Sequence, residues 1–481
     1  MSKPKNDKIS LFFLIMVSSA FVTSIRNLPT IAETGMKMIF FGGIAAICYF
    51  IPAALVSAEL ATGWPKSGGI YVWAKEAFGS HCGFFTIWMQ WTYMTISVVA
   101  MVYFIGGSFA FVFSPDLANS RLFLICVALA IIWLFTYLNL RGLQMSSIIS
   151  TIGFLSGVLF PGLLIIIMGL IYLFSGNHIE INFDLTTSNY LPNIKDMATL
   201  VLLVGFMRAF AGIEASATHA SFVDKPQRNY PIAIFVVVCI GLAINILGSL
   251  SVAAVVPQTE ISLISGIMEA FTFFFTKFNI AWLVPFIAFL VAIGQIGGVS
   301  TWLMGPVKGL LAAADNGDLP CFFHKVNDHG VPTNLLILQA VVISIIAIAL
   351  LQLPSINIAF WFSVALSMLI YVTMYILMFL SAIRLRYIKP NIKRAYNIPG
   401  KANIGMWIVV ILGLTTMVFS FIVAFFPPSQ LPTSNHAAYI ISLVVSIIII
   451  FIIPIIINLN KKPSWKRKNL QKTKKGIKNE K

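Results

Sequence analysis

The sequence predicts an all-α integral membrane protein of twelve transmembrane helices, and three observations carry that prediction. Of the 481 residues, 59% are hydrophobic and only 10% are charged, where a soluble domain usually carries about 25% charged residues. The apolar residues gather into runs of roughly 20, the length that crosses a hydrocarbon core of ~30 Å as a helix. Lysine and arginine then fall almost entirely into alternate connections between those runs, the bias expected of cytoplasmic loops.

The runs cover 11–35, 39–61, 84–112, 122–140, 147–175, 197–220, 231–256, 280–313, 333–352, 356–380, 405–426 and 437–459. Each is continuously apolar and lacks the two-residue alternation of a membrane barrel. A helix satisfies its own backbone hydrogen bonds in lipid, so helix is the natural form. With the N-terminus placed in the cytoplasm, 26 of the 32 Lys and Arg lie inside and 4 lie outside; Arg26 and Arg208 are left within spans. Both termini are therefore expected in the cytoplasm, with the chain multi-pass in the cell inner (plasma) membrane.

The same bias explains the net charge of +16. A basic chain can signal nucleic acid, but this excess lies in loops and a tail beside anionic lipid headgroups. Membrane lipid is therefore an expected partner, and nucleic acid is not. The cysteines Cys48, Cys82, Cys126, Cys239 and Cys321 are scattered without a CxxC pair, so they read as packing residues, and neither a metal nor a cofactor is expected. Residues 11–23 resemble a signal-peptide core, but the apolar pattern runs on without a small-residue cleavage site.

The organisation that follows is a cytoplasmic N-tail (1–10), a membrane core (11–380), a cytoplasmic connection (381–404), two further helices (405–459) and a basic cytoplasmic tail (460–481). The stretch "WPKSGGIYVWAKEAFG" (Trp64–Gly79) is too polar to span, and reads as a loop entering a short amphipathic helix at the inner surface. Two spans contain residues that a simple anchor helix avoids. The first carries "VTSIRNLP" (Val22–Pro29) and the sixth carries "RAFAGIEAS" (Arg208–Ser216). Their separation by five spans is the placement expected when a five-helix unit is repeated in inverted orientation, here over about 11–175 and 197–380, with a broken helix leading each repeat.

A charge at the middle of a span costs roughly 2.5–3.5 kcal/mol on insertion scales, so Arg26, Glu33, Arg208 and Glu214 must pair or face water. Arg208 and Glu214 are six residues apart, which on a regular helix turns them roughly 120° away from each other. A break at Gly212 would change that geometry and expose backbone groups that need partners. Broken half-helices offer N–H groups to a carboxylate and carbonyls to an ammonium group. The candidate substrate-binding residues are Val22, Thr23, Ser24, Ile25, Arg26, Arg208, Phe210, Ala211 and Gly212. Thr23, Ser24 and neighbouring N–H groups would hold the carboxylate, while Arg208 and Arg26 would select a second anion on the substrate. Glu214 would brace the break or change protonation during the cycle. Against this stands a bland alternative, in which Arg208 and Glu214 form an interhelical network that never touches substrate.

Weaker candidates have structural explanations. Glu59 lies at the inner end of the second span and is expected to cap or pair with a loop. His219 reads as a satisfied structural histidine. Asp315 and Asp318 in "AAADNGDLP" suit a turn, and Trp302 is either a packing residue or a cavity wall.

Three long motifs, "WPKSGGIYVWAKEAFG", "FAGIEASATHASFVDKPQRNYPIA" and "GGVSTWLMGPVKGLLAAADNGDLP", together resemble the amino acid–polyamine–organocation transporter superfamily. Within it, "SIRNLPT" and "GIEASATH" are most similar to the glutamate/γ-aminobutyrate antiporters. The resemblance covers about 10–460 and implies the LeuT-like fold: two inverted five-helix repeats plus two extra helices, helices 1 and 6 broken, with substrate between them. Aligned on Pro29, Val22, Thr23 and Ser24 stand where many relatives carry Gly-Ser-Gly, and those glycines are absent here. Glu214 matches the acidic residue of the helix-six Gly-x-Glu motif, associated with holding helix 1 and with proton sensitivity. Trp302 matches an aromatic gate, and Arg208 stands where related arginine/agmatine antiporters have a substrate-stacking aromatic. The glutamate/γ-aminobutyrate antiporters can plug their pore with the cytoplasmic tail; the tail here is strongly basic.

The expected function is therefore amino-acid antiport by alternating access, exchanging glutamate for γ-aminobutyrate or a related amino acid, in support of acid resistance where a decarboxylase is present. A proton-coupled neutral amino-acid permease is the alternative. The expected partners are then small amino-acid substrates, with a homodimer and a cytoplasmic decarboxylase as candidate partners. An enzyme is not expected, since GxSxG, HExxH and glycine-rich phosphate loops are missing.

Overall fold

The computed structural model describes residues 9–65, 68–142, 147–184, 186–193, 195–215, 223–258, 260–353, 356–427 and 436–466. Its main helices are α1 (Leu11–Val22), α2 (Leu28–Ala32), α3 (Lys37–Gly63), α4 (Ile70–Phe78), α5 (Ser80–Phe113), α6 (Arg121–Leu140), α7 (Thr151–Phe174), α8 (Leu202–Ala209), α9 (Pro226–Ala253), α10 (Gly266–Lys277), α11 (Val284–Asp315), α12 (Thr333–Leu350), α13 (Ile356–Ile388), α14 (Ile404–Val423) and α15 (His436–Leu459). Among the described residues β structure is limited to two isolated bridges, Ile9 with Val223 and Val326 with Pro332. The architecture is all-helical and multi-pass.

Among the described residues, eleven helical segments are long and apolar enough to cross a membrane, against the twelve expected. The difference lies at 197–220, where α8 ends after eight residues at Ala209. Gly212 follows in the left-handed region (φ 110°) and the backbone then takes a short 3-10 turn over 213–215. Ser216 and His219 lie outside the described residues.

Burial orders the bundle. α5 is the central post, with 83% of its most apolar stretch buried, and it packs on α11, α13, α4 and α6. α15 is the peripheral one, with 17% buried and isoleucines facing outward. An outward apolar surface is what lipid as solvent calls for.

Prolines shape the spans locally. Pro52 has no N–H to donate and its ring crowds the carbonyl of Cys48 one turn back. The helix widens to a π turn over Ala46–Phe50, and the freed Cys48 carbonyl accepts from Thr416 Oγ1 at 3.2 Å. Pro161 follows a second π turn, Leu155–Leu159, in the same way. Where α7 crosses α11, a Cβ on Gly157 or on Gly294 would overlap the other's backbone. Small residues here let two helices touch backbone to backbone.

At one end of the bundle, Glu59 on α3 accepts from Arg386 Nε (2.7 Å) and Nη2 (2.5 Å) and from the backbone N–H of Ile398 (2.8 Å). Arg394 Nε stands 3.6 Å from the same carboxylate and its guanidinium lies over Trp64. Glu59 thus pairs with a connection, as its position in the sequence suggested, and ties residues 386–398 to α3. Trp64 leads into α4, whose start follows Gly69 (φ 46°), in agreement with the expected short helix.

Candidate functional site

The first span does not run through. α1 stops at Val22, Thr23 (φ −101°, ψ 124°) and Ser24 (φ −145°, ψ 131°) are extended, and a 3-10 turn over Ile25–Asn27 leads into α2. The residues explain it: Pro29 has no N–H to continue a helix from α1, and Ser24 Oγ takes the backbone N–H of Arg26 at 3.3 Å instead. This interruption meets the one after α8. Asn27 Nδ2 donates to the Ala209 carbonyl at 3.4 Å, and a Cβ on Gly212 would come within 2.9 Å of the Phe21 carbonyl oxygen.

A cavity of about 30 Å³ lies where the two interruptions meet. Its walls include Val22, Thr23, Ser24 and Arg26 from the first segment, Arg208 and Ala211 from the sixth, Tyr93 from α5, and Gln295 and Trp302 from α11. Such a volume holds roughly one or two waters, so a free amino acid enters only when the walls part. Tyr93 and Trp302 lean together over it, ring centres 5.8 Å apart.

Its charge is one-sided. Arg26 and Arg208 are 5% and 8% exposed. Arg26 Nε and Nη1 and Arg208 Nε and Nη2 are buried with no hydrogen-bond partner, and neither arginine has an ion pair among the described residues. The Arg208 guanidinium lies 5.8 Å from the Phe360 ring centre, an attraction that offsets only part of the cost of burying a charge. Gln295 Nε2 and Thr23 Oγ1 are likewise buried without partners. The cavity therefore presents hydrogen-bond donors in excess and lacks an anion.

Glu214 is not the missing anion. Its Oε2 accepts from Tyr375 Oη at 2.5 Å and its Oε1 from Gln90 Nε2 at 3.3 Å. Beside it Tyr49 and Tyr371 share a 2.5 Å hydrogen bond, and Gly212 N–H donates to Tyr371 Oη at 3.2 Å. The carboxylate is thus clamped between α5 and α13 from within the 3-10 turn of 213–215, and it forms no ion pair with Arg208 among the described residues. Ile25, Phe210 and Gly212 are buried near the cavity without forming its wall; Phe210 instead stacks on Phe50 at 4.8 Å and 8°.

Gln295, Tyr93 and Asn27 were missed at the level of sequence. Gln295 had a signal, as a lone amide in the glycine-rich apolar run "VAIGQIGGVS". Tyr93 had none, being one aromatic among many in α5.

Residues 9–458 match the amino acid permease family. The chain belongs to that family. It is 34% identical over 456 residues to a glutamate/γ-aminobutyrate antiporter of Lactococcus lactis, covering 94% of this chain and 90% of that one. It is 39% identical over 446 residues to an uncharacterized transporter of Legionella pneumophila, covering 93% and 95%. A probable agmatine/putrescine antiporter of Lactococcus lactis is 23% identical over 406 residues, covering 83% and 84%.

Proposed function

We propose that this permease exchanges an amino acid with an anionic side chain, glutamate or a close relative, for a less charged amine product such as γ-aminobutyrate. The observation that carries the reading is the pair of unpaired, buried guanidinium groups on one cavity. Two like charges without a counter-ion are unfavourable in a low-dielectric site, and a ligand carrying two carboxylates relieves both. Arg26 and Arg208 take those carboxylates, with the unpartnered Thr23 hydroxyl as a further partner, while Ser24 holds Gln295. The substrate ammonium group is placed at the carbonyl end of α1, where Ala20, Phe21 and Val22 reach the cavity. Trp302 covers the site and Glu214 braces the turn after α8. The names of the Lactococcus lactis relatives support the same substrates.

The reading extends to the whole chain. The segment around α8 counts as a twelfth span, broken like the first, and 11–175 and 197–380 form inverted five-helix repeats in a LeuT-like arrangement, with α14 and α15 added. Alternating access opens the cavity to one side and then the other. The termini face the cytoplasm, in the inner membrane.

The test is counterflow in proteoliposomes with glutamate, glutamine, γ-aminobutyrate and arginine inside and out. Glutamate uptake driven by internal γ-aminobutyrate or glutamate is expected. Uptake of neutral amino acids alone, driven by a proton gradient and indifferent to Arg208→Leu, would establish a proton-coupled neutral permease instead.

A further inference from the structure

We propose that Gln295 sets the charge class of the substrate, by presenting only its amide NH2 group to the cavity; this rests on the cavity being the substrate site. Ser24 Oγ donates to Gln295 Oε1 at 2.9 Å. That bond uses the amide's acceptor and turns its donor end, Nε2, into a buried site where it has no partner. Gln295 is 4% exposed. It therefore adds a donor to the two guanidinium groups and points its acceptor at Ser24, where a cationic substrate does not find it.

The backbone that carries Gln295 is fixed. Gly294 meets Gly157 of α7 backbone to backbone, and Gly298, one turn on, stands against Met101 of α5. The side chain cannot easily back away, so its chemistry is read directly by whatever occupies the cavity. Arg26 and Arg208 are the only charged residues in the cavity wall as described. A carboxylate at 295 would be nearly isosteric with the amide, would still accept from Ser24, and would neutralise one arginine. The preferred substrate would then move by one charge toward neutral and cationic amino acids. Position 295 thus acts as a charge selector, distinct from the arginines that supply the charge.

The experiment compares affinities of the full-length protein for glutamate, glutamine and arginine in wild type, Gln295→Glu, Gln295→Leu and Ser24→Ala, with gel filtration and thermal unfolding as folding controls. Gln295→Glu is expected to lower the glutamate-to-glutamine affinity ratio at least about tenfold, the scale of one added charge at close range in a buried site. Gln295→Leu, which removes the donor without adding charge, is expected to weaken glutamate more than glutamine and to lower the ratio by about three- to tenfold, because a hydrogen bond to a charged group is worth more than one to a neutral group; an unchanged ratio in this variant also counts against the proposal. Ser24→Ala frees the amide to turn its carbonyl inward, and is expected to lower the ratio by about two- to fivefold; it serves if Gln295→Glu does not fold. A folded Gln295→Glu protein with the wild-type ratio, or an unchanged ratio in Ser24→Ala, overturns the proposal. A wild type that prefers glutamine defeats the glutamate reading, yet the shift of the ratio still decides the role of Gln295.

Discussion

At the scale of single residues, Arg208 is a group whose loss should help the empty protein and harm the loaded one. Its guanidinium is buried and unpaired, and replacing buried ionic groups by apolar ones of similar volume is often neutral or stabilising by about 1–4 kcal/mol. Arg208→Met is therefore expected to unfold at the same or higher temperature without ligand, while glutamate no longer raises its thermal midpoint. A lower midpoint without ligand would mean that Arg208 has a structural partner. Glu59 should behave oppositely. Glu59→Ala leaves Arg386 and Arg394 buried without their carboxylate, at a cost of about 3–5 kcal/mol, and denaturant unfolding checks it. Arg26, Arg208 and Glu59 were legible in the sequence because a charge in or beside an apolar run stands out. Asp318 was read as a turn residue, yet it is fully buried and accepts from Tyr71 Oη at 2.9 Å and Ser80 Oγ at 2.8 Å, with Lys461 beside it. Partners so distant in the chain leave no local pattern to read.

At the scale of elements, interruptions and crossings depend on a few backbone positions. Gly212 has φ 110° and its absent Cβ would stand 2.9 Å from the Phe21 carbonyl oxygen. Gly212→Ala therefore imposes a strain of about 1–3 kcal/mol, and is expected to slow exchange while the purified protein remains folded. Gly157→Leu at the α7–α11 crossing would force two backbones apart, and is expected to lose folded protein outright on gel filtration. Outside the spans, burial raises the Glu269 carboxyl on α10 above its ordinary value, partly opposed by the 2.6 Å bond from Ser265. A folded value above the unfolded one gives stability that is present below the unfolded value and is lost as pH rises through the folded value. Glu269→Gln should flatten that part of the pH dependence of thermal unfolding, with its gain over wild type largest at high pH. The interruption of the first span was legible because Pro29 and the polar residues before it oppose a continuous helix. The α7–α11 crossing was not, since a glycine in a membrane run signals close approach without saying to what.

At the scale of the whole molecule, eleven of the expected spans were legible as runs of apolar residues, and the sixth was legible only as an anomaly. Its charges and Gly212 marked the segment, and α8 indeed stops at Ala209, but composition alone could not say where a helix of eight residues ends. The bundle places two unpaired arginines in a small cavity at the meeting of two interruptions, so its substrate is expected to carry the missing anion. Binding of glutamate and glutamine to wild type and to Arg208→Leu, measured by calorimetry in detergent, tests that most directly. Wild type should favour glutamate at least about tenfold, as expected when buried cations are left unpaired by the neutral ligand, and Arg208→Leu should erase the preference while still binding glutamine. Equal affinity of wild type for the two ligands, or an undiminished preference in Arg208→Leu, would contradict it.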